Sequence, residues 1–345
     1  MNSLVHRVRR ALVGSAAAVA LLAAACTGGG DAVGPTVTSG STYHPTGHIV
    51  ILAGQFLTGL RLLDVATDRE REFHLPLRGG AYTTVWPARG GRFYALPTLG
   101  LFSTRSTSQL FVIGGDRPER VGPTTTNVTD FEVRGNYVLT WGCPGVMQLL
   151  DLTHPNAWRT IGHACVGSIS PDGRRLAYVS PTGLFVMRLP DGPSRRVLRF
   201  RDVPELRPAH VVPQSLDSVE WGKPGIAVAV GDSSRSAIVV WRENGRPVVD
   251  PLGTAQFAEM QWQPGGRLLA FLELLPNGEA FTFDPDTGVE RQIGISRDSD
   301  RMAWSPDGKV LAIARSLNVV ALIDTEGRQV GTLTSSGVPL LWVPS

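Results

Sequence analysis

Four carboxylates stand at spacings that invite chemistry: Asp130, Asp217, Glu259 and Asp300. Each lies three or four residues ahead of a position that recurs along the chain, at Val133, Trp221, Trp262 and Trp304. Carboxylates delivered at equivalent points of a repeat converge on one place, where they can coordinate a hard cation or hold a cationic group. Arg301 is interleaved among them and weakens a metal centre. The competing reading is a set of solvated carboxylates at strand starts, and no metal site is assigned.

Other chemical signals are weaker. Asp284-Pro-Asp-Thr-Gly288 lacks the third acidic ligand and the closing glutamate of a calcium loop, and reads as a hairpin turn. Gly231-Asp-Ser233 lacks the Gly-x-Ser-x-Gly elbow and a histidine partner for a serine nucleophile. The histidines at 44, 48, 74, 154, 163 and 210 form no pair with metal-ligand spacing on one element. No catalytic residue and no cofactor cradle is assigned. The chain reads as a non-enzyme before it reads as an enzyme.

Stepping along the chain, the elements that must hold these residues are repeats. Met302-Ala-Trp304-Ser-Pro-Asp-Gly-Lys-Val-Leu-Ala-Ile313 is closely matched at Ser168–Tyr178 and Gln261–Phe271, and loosely at Val219–Val228 and Val85–Tyr94. Val133–Leu139 is the weakest copy. Each is a short strand, a Pro/Asp/Gly turn and an apolar run, which predicts a β-hairpin. The register 86, 133, 169, 221, 262 and 304 gives a period near 42 residues. A second turn pattern, ending strands at Asp64, Asp151, Asp284 and Asp324, runs out of phase with the first. Two hairpins per period make four strands, the signature of a propeller blade.

The ends complete the count. Leu341-Trp342-Val-Pro344-Ser345 opens a repeat that the chain does not finish, and Gly47–Ala53 with Leu60–Phe73 continues a repeat that lacks its opening strand. The expected fold is therefore all-β: a seven-bladed β-propeller of four-stranded antiparallel blades, closed by pairing of the N- and C-terminal segments over 47–345. The Trp-Ser-Pro-Asp-Gly phrase resembles the repeats of TolB-like and WD-repeat-like propellers, which implies architecture and an envelope partner but not an activity.

Residues 1–25 read as a signal peptide: Arg7, Arg9 and Arg10 precede a small-residue apolar run from Ala11 to Ala25. The ending Leu22-Ala23-Ala24-Ala25-Cys26 resembles the bacterial lipoprotein box, with alanine where leucine usually sits three places before the cysteine. The resemblance implies acylation of Cys26, a tether over 26–46 and export to a bacterial membrane, on its periplasmic or cell-surface side. With Cys26 acylated, Cys143 and Cys165 remain as an even pair in an oxidising compartment. The propeller topology puts both on one face, so a disulfide is expected.

Glycine numbers 39 and proline 25, while 18% of residues are charged and 42% hydrophobic, which excludes a helical bundle and a disordered chain. The formal charge is +3, and three of the 33 basic residues lie in the leader. The mature chain then balances 30 against 30, leaving no global field for nucleic acid. The 52-residue interval between register positions 169 and 221 holds an insertion, Asp202–Gln214, that carries Arg207 and His210. It maps to the same face as the four carboxylates, and Trp141 lies near a loop of that face. The expectation is a lipid-anchored, monomeric envelope scaffold that binds a protein or peptide. The alternative is a small-ligand or metal-dependent hydrolytic propeller, lactonase-like or glycan-processing, that uses the channel mouth.

Overall fold

The computed structural model describes residues 45–345 except 54–58, 74–83, 100–105, 143–145, 205–211, 214–218, 232–235, 254–255, 276–277, 296–300, 317–318 and 336. The described residues form seven antiparallel sheets, with a 3-10 turn at Phe200–Asp202. Val338–Val343, near the chain's end, pairs with His48–Ala53, and the sheet continues to Gly59–Asp64 and Arg69–Glu72. Blade 1 is thus built from both ends of the chain.

Blades 2 to 7 follow in sequence order from the inner strands Val85–Pro87, Asp130–Arg134, Gly167–Ile169, Val219–Gly222, Gln256–Trp262 and Met302–Trp304. Each inner strand packs beside the next, and Met302–Trp304 packs beside Val338–Val343, so the series returns to its start. The chain is a seven-bladed β-propeller.

Blades 2 and 5 carry one strand beyond their four. Thr98–Leu99 pairs with Thr107 and Ser108, and Val212–Pro213 pairs with Val230 and Gly231. Each extra strand prolongs a row already present. Thr98–Leu99 continues Phe93–Ala95 along Thr107–Ile113, and Val212–Pro213 continues Val219–Gly222 along Gly225–Gly231. This pairs backbone groups left beyond the shorter strand. The insertion after blade 4 is therefore docked at both ends. Phe200 and Val203 are buried at one end, and Val212–Pro213 joins blade 5 at the other.

The repeated turn phrase has a local cause. In Ser305-Pro-Asp-Gly308, the Ser305 hydroxyl donates to Asp307 Oδ1 at 2.7 Å and accepts the Val310 N–H at 2.9 Å. Asp307 Oδ1 also accepts the Lys309 N–H at 3.2 Å. Gly308 adopts φ +69°, and a Cβ there would lie 2.7 Å from the Pro264 carbonyl of the preceding blade. Glycine alone meets both demands. Ser170 and Asp172 repeat the arrangement. The out-of-phase aspartates cap the outer hairpins: Asp324 Oδ1 accepts the N–H groups of Glu326 and Arg328, and Asp64 Oδ1 those of Ala66 and Thr67. Asp284 accepts the Asp286 N–H in the same way, so its turn is the hairpin expected from the sequence.

The tryptophans explain the register. Their indoles lie in the seams between blades, and the ring N–H ties neighbouring inner strands. Trp86 Nε1 donates to the Phe131 carbonyl at 2.7 Å, Trp262 to Glu220 at 3.1 Å and Trp304 to Gln261 at 3.3 Å. Both faces of a blade are covered, so a strand such as Gly225–Gly231 is apolar throughout rather than alternating. Ile226, Val228 and Val230 pack toward blade 4, while Ala227 and Ala229 pack toward blade 6.

Candidate functional site

Successive side chains of a strand point to opposite sides. In an inner strand the tryptophan-type position enters a seam, so the residues one and three before it, and one after, face the ring axis. Asp130, Glu132 and Arg134 accordingly share the axial side of blade 3, while Phe131 and Val133 join an apolar seam. Glu259 and Gln261 do the same in blade 6, with Met260 and Trp262 in the seam. Glu220 of blade 5 and Arg301 of blade 7 complete the charged set. All seven blades contribute to the lining of this axial cavity of about 190 Å³.

The charges lie in two layers. At the strand starts, Arg301 Nη2 sits 3.3 Å from Asp130 Oδ2 and Nη1 sits 3.8 Å from Glu259 Oε1. Asp130 Oδ1 accepts its neighbour's N–H, from Phe131, at 2.8 Å. Glu259 Oε2 accepts the Met302 N–H of the next blade at 2.6 Å, and Gln261 Nε2 donates to Glu259 Oε1 at 2.8 Å.

Deeper along the axis, Arg134 bridges Glu132 at 2.5 Å and Glu220 at 2.8 Å. Its Nη1 donates to the Trp221 carbonyl at 2.6 Å, and its guanidinium carbon lies 5.9 Å from the centre of the Trp86 ring. Glu132 Oε2 accepts the Ile169 N–H of blade 4 at 2.8 Å. Arg134 thereby reaches past blade 4 to join blades 3 and 5.

Four axial carboxylates face two guanidinium groups, 4 − 2 = 2 negative charges in excess if all were ionised. Burial raises Glu132 to about 7, with Arg134 pulling it down and Glu220 pushing it up. Burial also raises Glu220, again against the pull of Arg134. The deeper layer is therefore arranged to hold a proton near neutral pH.

Asp130, Glu259, Arg301 and Trp141 are brought together in the cavity lining. Asp217, Asp300, Arg207 and His210 lie outside the described residues, as do Cys26 and Cys143; Cys165 is half-buried just ahead of blade 4. The expectation of solvated strand-start carboxylates is corrected for Asp130 and Glu259. They are 2% and 6% exposed and engaged by Arg301, because their strand position aims them at the axis. Among the described residues no three His, Cys, Asp or Glu side chains converge as a metal-binding group. Trp141 ends a strand whose carbonyl accepts both the N–H and the hydroxyl of Thr129, and its ring is buried.

Glu132, Arg134 and Glu220 were not singled out from the sequence. The signal was present: Asp130-Phe-Glu-Val-Arg134 alternates charged and apolar residues in a chain whose other inner strands are mostly apolar.

No protein-family model and no curated protein sequence matches the chain. Among solved structures it is similar to a 6-phosphogluconolactonase-like protein from Bacteroides fragilis. That pair has a TM-score of 0.55 and 12% identity, covering 88% of this chain and 99% of the other. Apo AztD from Citrobacter koseri has a TM-score of 0.50 and 12% identity over 89% of this chain and 84% of that one. TolB from Acinetobacter baumannii has a TM-score of 0.44 and 17% identity, covering 83% and 79%. At such identities likeness speaks for the fold alone.

Proposed function

We propose that this chain is a lipid-anchored propeller of the bacterial cell envelope whose looped face binds a protein or peptide. The observation that carries the reading is the internal pairing of the channel mouth. Arg301 is held between Asp130 and Glu259, so the carboxylates best placed to catch a cation are engaged by the chain's own guanidinium. A mouth closed in this way is a structural clasp, and recognition falls to the unequal loops around it. Residues 205–211, between the docked Val203 and the paired Val212, are the candidate contact.

Export and anchoring rest on the leader and the box ending at Cys26. The pairing of Cys143 with Cys165 rests on the same compartment, and on Cys165 not being a free thiol. Crosslinking in cells followed by capture of the tagged chain tests the binding reading. One envelope protein recovered reproducibly supports it, and no protein recovered beyond background contradicts it.

The second reading, a small-ligand or hydrolytic propeller, is favoured by the axial cavity and the proton-holding carboxylate Glu132 inside it. Elemental analysis of the purified protein separates the two. A stoichiometric divalent ion would transfer the assignment to the metal-dependent form of this second reading.

A further inference from the structure

The outer rim of blade 4 differs from the rest of the ring in charge. From Arg188 to Asp202 the chain carries Arg188, Arg195, Arg196, Arg199 and Arg201 against Asp191 and Asp202, 5 − 2 = 3 positive charges in excess. All five arginines are exposed. Among the described residues, Arg188, Arg195, Arg196 and Arg199 have no ion-pair partner, whereas Arg201 lies 3.8 Å from Asp202.

The other outer strands are balanced to within one charge. Arg69–Glu72 alternates the two signs, Glu119–Thr126 and Val289–Ile295 each hold one acid and one arginine, and Gln329–Leu333 holds none. Since the mature chain is formally neutral, this excess is local.

Geometry presents the charge along an edge. Ser194–Leu198 is the outermost strand of its sheet. Arg195 stands opposite Val186 and Arg196 opposite Phe185, so the two adjacent side chains leave the strand on opposite sides and straddle the rim. Arg188 and Arg199 extend the charge along the neighbouring strand end and the segment leading into Phe200.

We propose that this rim docks on an anionic phospholipid surface, which holds the disc on its edge and leaves the looped face open. The inference rests on the lipid anchor proposed above, because that anchor selects a membrane over other polyanions. Eighteen residues, 27–44, span at most about 60 Å even fully extended. A disc on that leash stays close to the bilayer. A basic patch near an anionic leaflet is attracted with a strength that grows with each arginine, and it supplies the second signal that firm anchoring uses.

The test uses the unacylated chain from residue 27, which retains the whole compact unit Gly34–Ser345. Its co-sedimentation with phosphatidylcholine vesicles is compared with vesicles that also contain phosphatidylglycerol. Binding should require phosphatidylglycerol and fall in high salt. Replacing Arg188, Arg195, Arg196 and Arg199 together by glutamine should weaken it by at least about tenfold. Arg195→Gln/Arg196→Gln alone should give part of that loss. Arg120→Gln/Arg159→Gln/Arg291→Gln, on other rims, should leave it unchanged.

Equal binding by the four-residue variant and the native chain would overturn the proposal, as would binding indifferent to phosphatidylglycerol. Self-association of that variant with vesicle binding intact would also overturn it, assigning the arginines to guarding a strand edge. Labelled-lipid incorporation at Cys26 in cells is a separate readout. Its failure removes the anchor while leaving the vesicle result to stand or fall alone.

Discussion

The guanidinium of Arg301 on blade 7 lies 3.3 Å from the carboxylate of Asp130 on blade 3, a contact across the ring axis between residues 171 apart in sequence. The same arginine reaches Glu259 on blade 6. Adjacent blades are already joined by their seams, so this contact adds a tie between blades that do not touch through strands. Arg134 provides a second tie, from blade 3 to blade 5.

Replacing Arg301 by alanine takes a guanidinium away from two buried carboxylates. Breaking such a buried pair from one side costs on the order of 3–5 kcal/mol, because the remaining charge is stranded. Urea unfolding should show that loss. Combining Arg301→Met with Asp130→Asn and Glu259→Gln should recover most of it. Unchanged unfolding of Arg301→Ala would show that the axial pairing carries no stability.

Much of the frame was legible because repeated local chemistry makes it. The Ser-Pro-Asp-Gly turns, the capping aspartates and the seam tryptophans are each defined within a few residues, so their spacing reported the blades. The composite blade was legible for the same reason, since Trp342 occupies a register position with no hairpin after it. The axial charges were harder to read. Asp130 and Glu259 were found, but their burial follows from strand parity around a closed ring, a property of the assembled fold rather than of any segment. Arg301, three before Trp304, occupies the axial position that Asp130 and Glu259 hold in their blades. Arg134 finds its partner Glu220 86 residues away, which no local pattern marks.

Three partly or fully buried acids predict how stability depends on pH. Glu132 is raised to about 7 by burial, and Asp250 and Glu273 are raised to about 7 by burial together with Glu290. An acid whose folded pKa exceeds its unfolded value makes the folded state bind more protons between the two. Stability then falls as pH rises through that window. Thermal unfolding should therefore occur at lower temperature at about pH 8 than at about pH 5, and Asp250→Asn should flatten the slope. A midpoint that climbs steadily from about pH 5 to 8 would contradict this account of the buried carboxylates.

Ring closure depends on the last strand. Truncation after Ser336 removes Val338–Val343, exposes the edge of His48–Ala53 and takes Trp342, whose ring N–H donates to the Thr46 carbonyl, out of its seam. The shortened chain should lose its sharp unfolding transition and self-associate through the open edge. A transition as sharp as that of the intact protein would show that closure adds nothing.

The proposed Cys143–Cys165 bond closes a 22-residue segment, for which chain-entropy arguments give about 3 kcal/mol of stabilisation. Non-reducing peptide mapping of the exported protein should yield one cross-linked peptide pair. Two alkylatable thiols in that material would remove the bond.

The central claim is that the face carrying the inter-blade loops recognises a partner while the axis only holds the ring together. In-cell crosslinking and capture should be run side by side on the native chain, on a variant lacking residues 205–211, and on Asp307→Lys/Glu326→Lys, which alters turns of the opposite face. The account predicts that one envelope protein is captured by the native chain and by the opposite-face variant, and lost from the deletion variant with its thermal unfolding preserved. Capture lost from Asp307→Lys/Glu326→Lys but retained by the deletion variant would place recognition on the other face and contradict it.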